Sequence, residues 1–200
     1  LLDYNAIYQC VNRPIPNSDD AIIEYLIELG YVIPTNDALS ITNMGALLFA
    51  NNLKDFPTVE GRQVIVRKYN GSNNRVLSLE QKGSRGYAGF VGLMKFIMEH
   101  SSVEQITTTR EYIPTYPLVA IREFVANAFV HQDFSIKGMP LTIEIYSNRL
   151  VITNPGKSLN DVNRLIDLPP HSRNEKFAQS LYLMNLCPLV VLLCSRAVGK

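Results

Sequence analysis

The segment from residue 117 to residue 153 constrains the fold most strongly, because its hydrophobic period changes within it. Residues 117–131 carry apolar side chains at helical spacing. Residues 141–146 and 150–153 alternate as strands do, and a Ser-Asn pair separates them as a hairpin turn would. A helix followed by a strand hairpin, in a chain that is 46% hydrophobic and 18% charged, predicts an α+β globular fold.

Further elements are predicted on both sides of this segment. Ser18 is expected to cap a helix that Gly30 ends, and Thr42 is expected to cap a second helix. The patterns also predict extended segments over residues 31–34, 63–69, 75–79 and 105–113, a turn at residues 36–37, and helices over residues 87–99, 158–166 and 174–186. Residues 1–60 are therefore compatible with a winged-helix-like unit or with an ordinary helical packing unit.

The polar residues of the helix predicted over residues 117–131 form a stripe beside its core face. That face is expected to comprise Leu118, Ile121, Phe124, Val125, Ala128 and Phe129. Glu123, Asn127 and His131 recur at every fourth position along its margin, so they would line the rim of a pocket. A carboxylate can activate water as a general base, and a carboxamide oxygen suits Mg²⁺, which holds phosphate oxygens. In the structural alternative, the first two are simply solvated and His131 caps the helix end.

Two short motifs further along the chain favour a site for a phosphate-bearing ligand. Asn154 and Gly156 follow the second strand of the hairpin, where a glycine turn allows the backbone to approach a ligand closely. Arg173 and Asn174 precede the last predicted helix, whose N-terminus favours anions, and a guanidinium pairs well with phosphate. Taken singly, each motif is equally compatible with an ordinary turn or helix cap.

The order of these motifs resembles a known family. Residues 120–134 look like the N-box helix of a divergent GHKL group, the RecG-like helicase C-terminal or HATPase-like domain. Residues 154–156 and 172–174 match its next two motifs in the same order. In bacterial transcriptional regulators this group follows Schlafen/AlbA-type DNA-binding domains. Residues 42–45, 47–49 and 69–71 resemble the segment between the two domains, so the resemblance covers most of residues 1–186.

The resemblance implies a domain organisation and a set of site residues. Residues 61–186 would form a truncated GHKL-like α/β sandwich with a mixed sheet, behind the helical unit of residues 1–60. The implied site comprises Glu123 as the water-activating residue, Asn127 as the Mg²⁺ ligand, and His131, Asn154, Gly156, Arg173 and Asn174 as residues that bind ATP. The broader family has an aspartate where this chain has Asn154, and this departure bears on adenine selectivity.

The ends of the chain depart from the family pattern. After Cys187 the family continues with an acidic, glycine-rich phosphate loop, whereas residues 187–200 contain no acidic residue and no such loop. We expect a frameshift or an artificial terminus there. Nucleotide binding would be weakened, because the backbone amides of such loops hold phosphates. The chain starts at Leu1 without a methionine, which predicts an internal piece of a longer protein.

The composition of the chain and the absence of certain motifs argue against several classes of function. The net charge of +1 gives the chain no overall positive charge that would attract nucleic acid. The three cysteines are not spaced as in a metal site or a disulfide framework. The sequence has no signal peptide and no apolar run near the ~20 residues of a membrane span, which predicts a cytoplasmic protein. No Gly-x-x-x-x-Gly-Lys-Ser/Thr loop occurs, which argues against a helicase and leaves a weak Mg²⁺-dependent ATPase open.

Three functions follow as hypotheses. The first is an ATP- and Mg²⁺-binding regulatory module of a transcriptional regulator, which forms homo-oligomers and contacts DNA through a domain outside this chain. The second is a dimerisation or interaction module that acts without nucleotide. The third is direct DNA binding through residues 18–50, whose helices lack a basic face.

Overall fold

The α+β fold is confirmed in a computed structural model that describes residues 1–36, 38–106, 110–157 and 172–183. Its helices are α1 (Tyr4–Cys10), α2 (Asp19–Glu28), α3 (Asn43–Phe49), α4 (Phe90–Ser101), α5 (Leu118–His131) and α6 (Glu175–Leu183). Its strands are β1 (Val32–Pro34), β2 (Leu39–Ile41), β3 (Val64–Tyr69), β4 (Leu77–Lys82), β5 (Ser102–Ile106), β6 (Arg110–Pro114), β7 (Leu141–Ile145) and β8 (Leu150–Thr153). Short 3-10 turns cover Leu53–Asp55, Glu60–Arg62 and Tyr87–Gly89.

A mixed four-stranded sheet with the order β4-β3-β7-β8 forms the centre of the second half. Strands β3 and β7 pair in parallel, from Val64 opposite Leu141 to Lys68 opposite Ile145, and the other pairs are antiparallel. A parallel pair requires a long crossover, and the chain between β4 and β7 contains α4 and α5. Every second residue of β7 is buried, as the alternation predicts for a sheet with one covered face.

The first 60 residues share a core with the sheet. Ile7, Leu26 and Phe49 belong to the same cluster of buried side chains as Val66 and Phe129. The predicted boundary near residue 60 and the winged-helix-like character of residues 1–60 stay predictions. Two short antiparallel strands, β1 and β2, separate α2 from α3, and the second of them was not expected from the sequence.

The predicted helix boundaries of the first half are confirmed. Gly30 has φ +71° after α2, where its N–H donates to Ile27 O and that of Tyr31 donates to Leu26 O. This is the Schellman arrangement that favours glycine. The Thr42 hydroxyl accepts from the Gly45 N–H at 3.1 Å and caps α3. Ser18 occupies the N-cap position of α2 but its side chain makes no capping hydrogen bond.

The buried arc of α5 differs from the predicted one. Leu118 and Phe124 were expected in the core, but their exposed fractions are 51% and 58%. Ala126 and Val130 are instead fully buried. The arc is shifted because Ala126 and Val130 also pack into the common cluster of buried side chains. Leu118 lies in the first turn, ahead of these residues.

The return strand of the first hairpin also lies later than predicted. It was expected over residues 75–79, whereas β4 covers Leu77–Lys82. A bulge between Lys68 and Tyr69 shifts the register, and the Arg67 guanidinium pairs with the Glu80 carboxylate across the strands at 2.8 Å. The bulge changes the strand pairing in a way that alternation alone does not reveal.

Several predicted segments lie partly or wholly outside the residues that the structure describes. Residues 105–106 and 110–113 of the predicted extended segment belong to two paired strands, β5 and β6, and residues 107–109 lie outside the described part. The predicted helix over residues 158–166, Asp37 of the predicted turn, Met184 and residues 187–200 also lie outside it. Cys10 is a free thiol. In the described ranges we find no helix with the length and apolar character needed to cross a membrane.

Gly86 allows the chain to pass close to α3. A Cβ atom there would lie 2.8 Å from Ala46 O and 2.9 Å from both Leu47 O and Ala50 N. The Gly86 N–H donates to Ala50 O at 2.9 Å, so the contact is with backbone that cannot easily move. This glycine therefore fixes how α3 packs against the segment that leads into α4.

We predict that Gly86→Ala destabilises the protein by about 1–3 kcal/mol, since the added methyl group overlaps backbone atoms. Gly92→Ala is the matched control, because a Cβ atom at Gly92 in α4 meets no atom within 4 Å. That control should change stability by less than about 1 kcal/mol, in the stabilising direction. Urea unfolding of both variants measures the difference, and equal stability would contradict the proposed contact.

Candidate functional site

Within the described part of the chain, three polar side chains of α5 each carry a buried atom without a hydrogen-bond partner. They are Glu123 Oε2, Asn127 Oδ1 and His131 Nε2. The side chains lie one turn apart on a single stripe, as predicted, and each residue is half-buried. Buried polar atoms in proteins are nearly always paired, and an unpaired one costs about 1–3 kcal/mol. Such a row on one helix is therefore typical of a surface that receives a ligand.

A concavity of about 400 Å³ lies between α5 and β8. Its lining comprises Phe124, Asn127, Ala128 and His131 from α5, and Leu150, Ile152 and Asn154 from β8 and its end. The structure thus brings together three of the predicted site residues, Asn127, His131 and Asn154. Glu123 lies one helical turn before Asn127 and is not part of this lining.

Gly156 approaches another segment of the chain. It has φ +117°, and a Cβ atom there would lie 2.9 Å from Asp133 Cβ. The Asp133 N–H donates to Pro155 O at 2.7 Å. The close approach predicted for this glycine is therefore made to the residues that follow α5, and it holds the turn after β8 against the end of that helix.

Arg173 and Asp133 form an ion pair that fixes the same turn. One guanidinium nitrogen of Arg173 contacts the Asp133 carboxylate, and the other donates to Lys157 O at 2.7 Å. The remaining nitrogen, Nε, is buried and unpaired. The Ser135 hydroxyl and N–H donate to Asp133 and, with Arg173, lower the pKa of its carboxyl group below the ordinary value.

Asn174 holds the C-terminal end of α5. Its amide nitrogen donates to Val130 O at 2.7 Å and to Gln132 O at 2.8 Å. These two carbonyls flank His131, so the Asn174 side chain supports the stripe from behind. The resemblance places Asn174 near the phosphates, whereas both of its amide hydrogens are already used here.

His131 has an environment that favours its neutral form. Burial of the imidazole lowers its pKa, and the positive charge of Arg173 lowers it further. The ring is therefore neutral over a wider acidic range than an exposed histidine. A neutral ring has one nitrogen that donates and one that accepts.

Two residues of this region were not predicted from the sequence to belong to it. Asp133 pairs with a residue 40 positions away, and only its charge opposite that of Arg173 hinted at the pair. Phe124 was expected in the core, yet its ring lies at the edge of the concavity.

The oxygens of the polar stripe are of a type that suits Mg²⁺. Asn127 Oδ1 and Glu123 Oε2 are oxygens, the ligand type that Mg²⁺ prefers. No group of three or more His, Cys, Asp or Glu side chains in the described residues could hold a metal ion without other ligands. The fit is thus to an ion that takes most of its ligands from phosphates and water.

We predict that Asn174→Ala destabilises the protein by about 1–3 kcal/mol, because it leaves two carbonyls of α5 without their donor. Gln179→Ala is the control, since Gln179 is exposed on α6, the helix that follows Asn174, and should change stability by less than about 0.5 kcal/mol. Chemical denaturation compares the two. A loss no larger than that of the control would contradict the supporting role of Asn174.

We predict that stability falls as the pH is lowered from about 7 to about 5, in part through His131. The unfolded chain protonates this histidine near pH 6.5, whereas the folded protein does so only at lower pH. The contribution of His131 to folding stability is fully present above about pH 6.5. It is lost as the pH falls toward the lower pKa that this histidine has in the folded protein. Unfolding of His131→Gln across this range should show a smaller pH dependence. An unchanged dependence would contradict the assigned environment, and Asp133 contributes only below about pH 4.

Comparison with known proteins bears on the second half of the chain and on the fold. Residues 138–190 match the sequence model of a family described as "Putative ATP-dependent DNA helicase recG C-terminal". No curated protein matches the chain. The fold is similar to the crystal structure of the DIP2311 protein from Corynebacterium diphtheriae, with a TM-score of 0.61 at 13% identity. That similarity covers 92% of this chain and 37% of the DIP2311 chain, so this chain spans little more than a third of that protein.

These comparisons support the fold and a family resemblance over residues 138–190. The similarity to DIP2311 concerns the fold alone. The matched range begins after α5, so the roles of Glu123, Asn127 and His131 stay predictions, as does the Schlafen/AlbA subgroup. The match confirms the predicted resemblance: residues 138–190 resemble a divergent HATPase-like domain, and an ATPase-like family is indicated.

Proposed function

We propose that this chain is a nucleotide-binding module that takes ATP with Mg²⁺ in the concavity between α5 and β8. The observation that carries the proposal is that Asn127 and His131, which each carry an unpaired buried atom, line this concavity. Glu123 carries a third such atom one helical turn earlier, outside the lining. Ligand atoms would provide the missing partners and remove the cost of leaving these atoms unpaired. The ATPase-like family match over residues 138–190 supports the same ligand class.

Each side chain has a role that its chemistry suits. Asn127 Oδ1 would be a ligand of Mg²⁺, which neutralises phosphate charge and orients phosphate oxygens when bound. Glu123 would act as the general base toward water in slow ATP hydrolysis. His131 and Asn154 would contact the nucleotide. Arg173, paired with Asp133, would hold the turn after β8, and Asn174 would support α5.

We further propose that the module belongs to a cytoplasmic transcriptional regulator of bacterial type. ATP binding would change how homo-oligomeric copies arrange a DNA-binding domain that lies outside this chain. The family description mentions a DNA helicase, which supports a nucleic-acid context for relatives of residues 138–190. The fold match covers only 37% of the DIP2311 chain, which is compatible with further domains in longer relatives.

Calorimetric titration with ATP and Mg²⁺ tests the proposed ligand. Asn127→Ala should weaken binding at least about tenfold, because it removes a metal ligand and a buried polar contact. Asn5→Ala is the matched control, since Asn5 is exposed on α1 and is not part of the cleft lining. Glu123→Gln should retain binding and lose hydrolysis.

Three outcomes would contradict the proposal. Equal affinity of Asn127→Ala and Asn5→Ala would contradict the metal-ligand role, and full hydrolysis by Glu123→Gln would contradict the general base. Absence of binding by the folded wild-type chain would contradict the nucleotide site itself. That last result would favour the nucleotide-independent dimerisation or interaction module.

A further inference from the structure

A second cavity, of about 330 Å³, lies between the sheet and α4. The residues that line it are Val64 and Val66 of β3, residues 81–87, residues 89–90, Gly92, Leu93 and Phe96 of α4, and Phe129 of α5. None of them lines the concavity between α5 and β8, so the two spaces share no wall. Small-molecule sites in proteins typically have volumes of about 300–1,000 Å³ and mostly apolar walls. The size of this cavity therefore suits a small ligand.

The strand wall and the helix wall of this cavity are both apolar. Val66 and Phe90 are buried, Leu93 and Phe96 are half-buried, and Gly92 is exposed at the mouth. A hydrocarbon group that enters between these walls leaves water and contacts other hydrocarbon on two sides, which is favourable. Water gains little there, because it needs several polar partners to be held in a cavity. The apolar part of a ligand is therefore the occupant that the walls favour.

Arg85 places a positive charge on the wall of the cavity. A Cβ atom at Gly89 would lie 3.1 Å from Arg85 Cβ, so the base of the Arg85 side chain packs against another lining residue. One terminal nitrogen of the guanidinium contacts the Asp3 carboxylate, and the side chain is 46% exposed. A guanidinium has five N–H donors, and among the described residues we find no other hydrogen bond from this one. Arg85 can therefore bind a second carboxylate while it keeps Asp3.

The charge of the lining favours an anion over a cation. Among the described residues, no acidic side chain lines the cavity, and its second cation is Lys82, whose ammonium lies 3.6 Å from the Glu80 carboxylate. The Lys82 ammonium is thus held by a neighbour, whereas the guanidinium of Arg85 keeps free donors. A guanidinium and a carboxylate form short charge-assisted hydrogen bonds, often two in parallel. An anionic head group is therefore best placed at Arg85.

We propose that this cavity is a second binding site, which takes a small apolar carboxylate. The hydrocarbon part of the ligand lies between β3 and α4, and its carboxylate pairs with the Arg85 guanidinium at the mouth. The inference does not rest on the proposed nucleotide function, because the two sites have no lining residue in common.

Calorimetric titration with octanoate, and with octylammonium as the cation of the same chain length, tests the charge of the site. Octanoate should bind the wild-type chain at least about tenfold more tightly than octylammonium does. Arg85→Gln should weaken octanoate binding about tenfold, because it removes the charged donor. Asp3→Asn is the matched control, since it breaks the same ion pair, keeps the side-chain oxygen that caps α1, and leaves the guanidinium in place. That variant should bind octanoate as tightly as the wild type or more tightly.

Gly92→Leu tests the position of the ligand, because its side chain would occupy the mouth of the cavity. The variant should fold, since a Cβ atom at Gly92 meets no atom within 4 Å and leucine favours a helix more than glycine does. Octanoate binding should weaken at least about tenfold. Val91→Leu is the control, because Val91 is exposed on the same helix and does not line the cavity.

Four results would overturn the inference. They are absence of octanoate binding by the folded wild-type chain, octylammonium binding as tight as that of octanoate, equal octanoate affinities of Arg85→Gln and Asp3→Asn, and equal octanoate affinities of Gly92→Leu and Val91→Leu. Titration of the same variants with ATP and Mg²⁺ separates this site from the proposed nucleotide site. Arg85→Gln and Gly92→Leu should bind ATP as the wild type does, so the failure of either proposal leaves the other standing.

Discussion

The rotational setting of α5 is the constraint on which the candidate site depends. Burial of Val125, Phe129 and Val130 in one core cluster with the sheet strands and Tyr87 fixes which arc of the helix faces inward. Removing such apolar surfaces from water is worth about 1.5–3 kcal/mol per large side chain, so the helix cannot rotate freely. With that arc buried, Asn127 and His131 face the concavity against β8.

The end of α5 is supported by residues that do not line this concavity. Asn174 binds two carbonyls of the helix end, and the Arg173–Asp133 pair and Gly156 hold the turn after β8 against the same end. These contacts connect three segments that are distant in sequence. Their consequence is that the helix side and the strand side of the cleft keep a fixed separation, which is the preorganisation that a binding site needs.

Much of this arrangement could be predicted from local sequence. Helical spacing placed Glu123, Asn127 and His131 on one stripe, and alternation located β7, β8 and the position of Asn154. The rotation that exposes Phe124, the later start of β4 and the Asp133–Arg173 pair could not be predicted in this way. Each depends on tertiary structure: the packing of Ala126 and Val130 into the common core, a bulge in β3, and an ion pair across 40 residues. A period in the sequence indicates which faces an element has, while tertiary packing decides which of them is covered.

The central claim is that the polar stripe of α5 receives the phosphates and Mg²⁺ of a nucleotide. A crystal structure of the protein with Mg²⁺ and a non-hydrolysable ATP analogue tests this claim most directly. We expect density for the analogue between α5 and β8, with the side-chain oxygen of Asn127 directed at the metal ion. Density for the analogue at another surface, with Asn127 remote from it, would contradict the account.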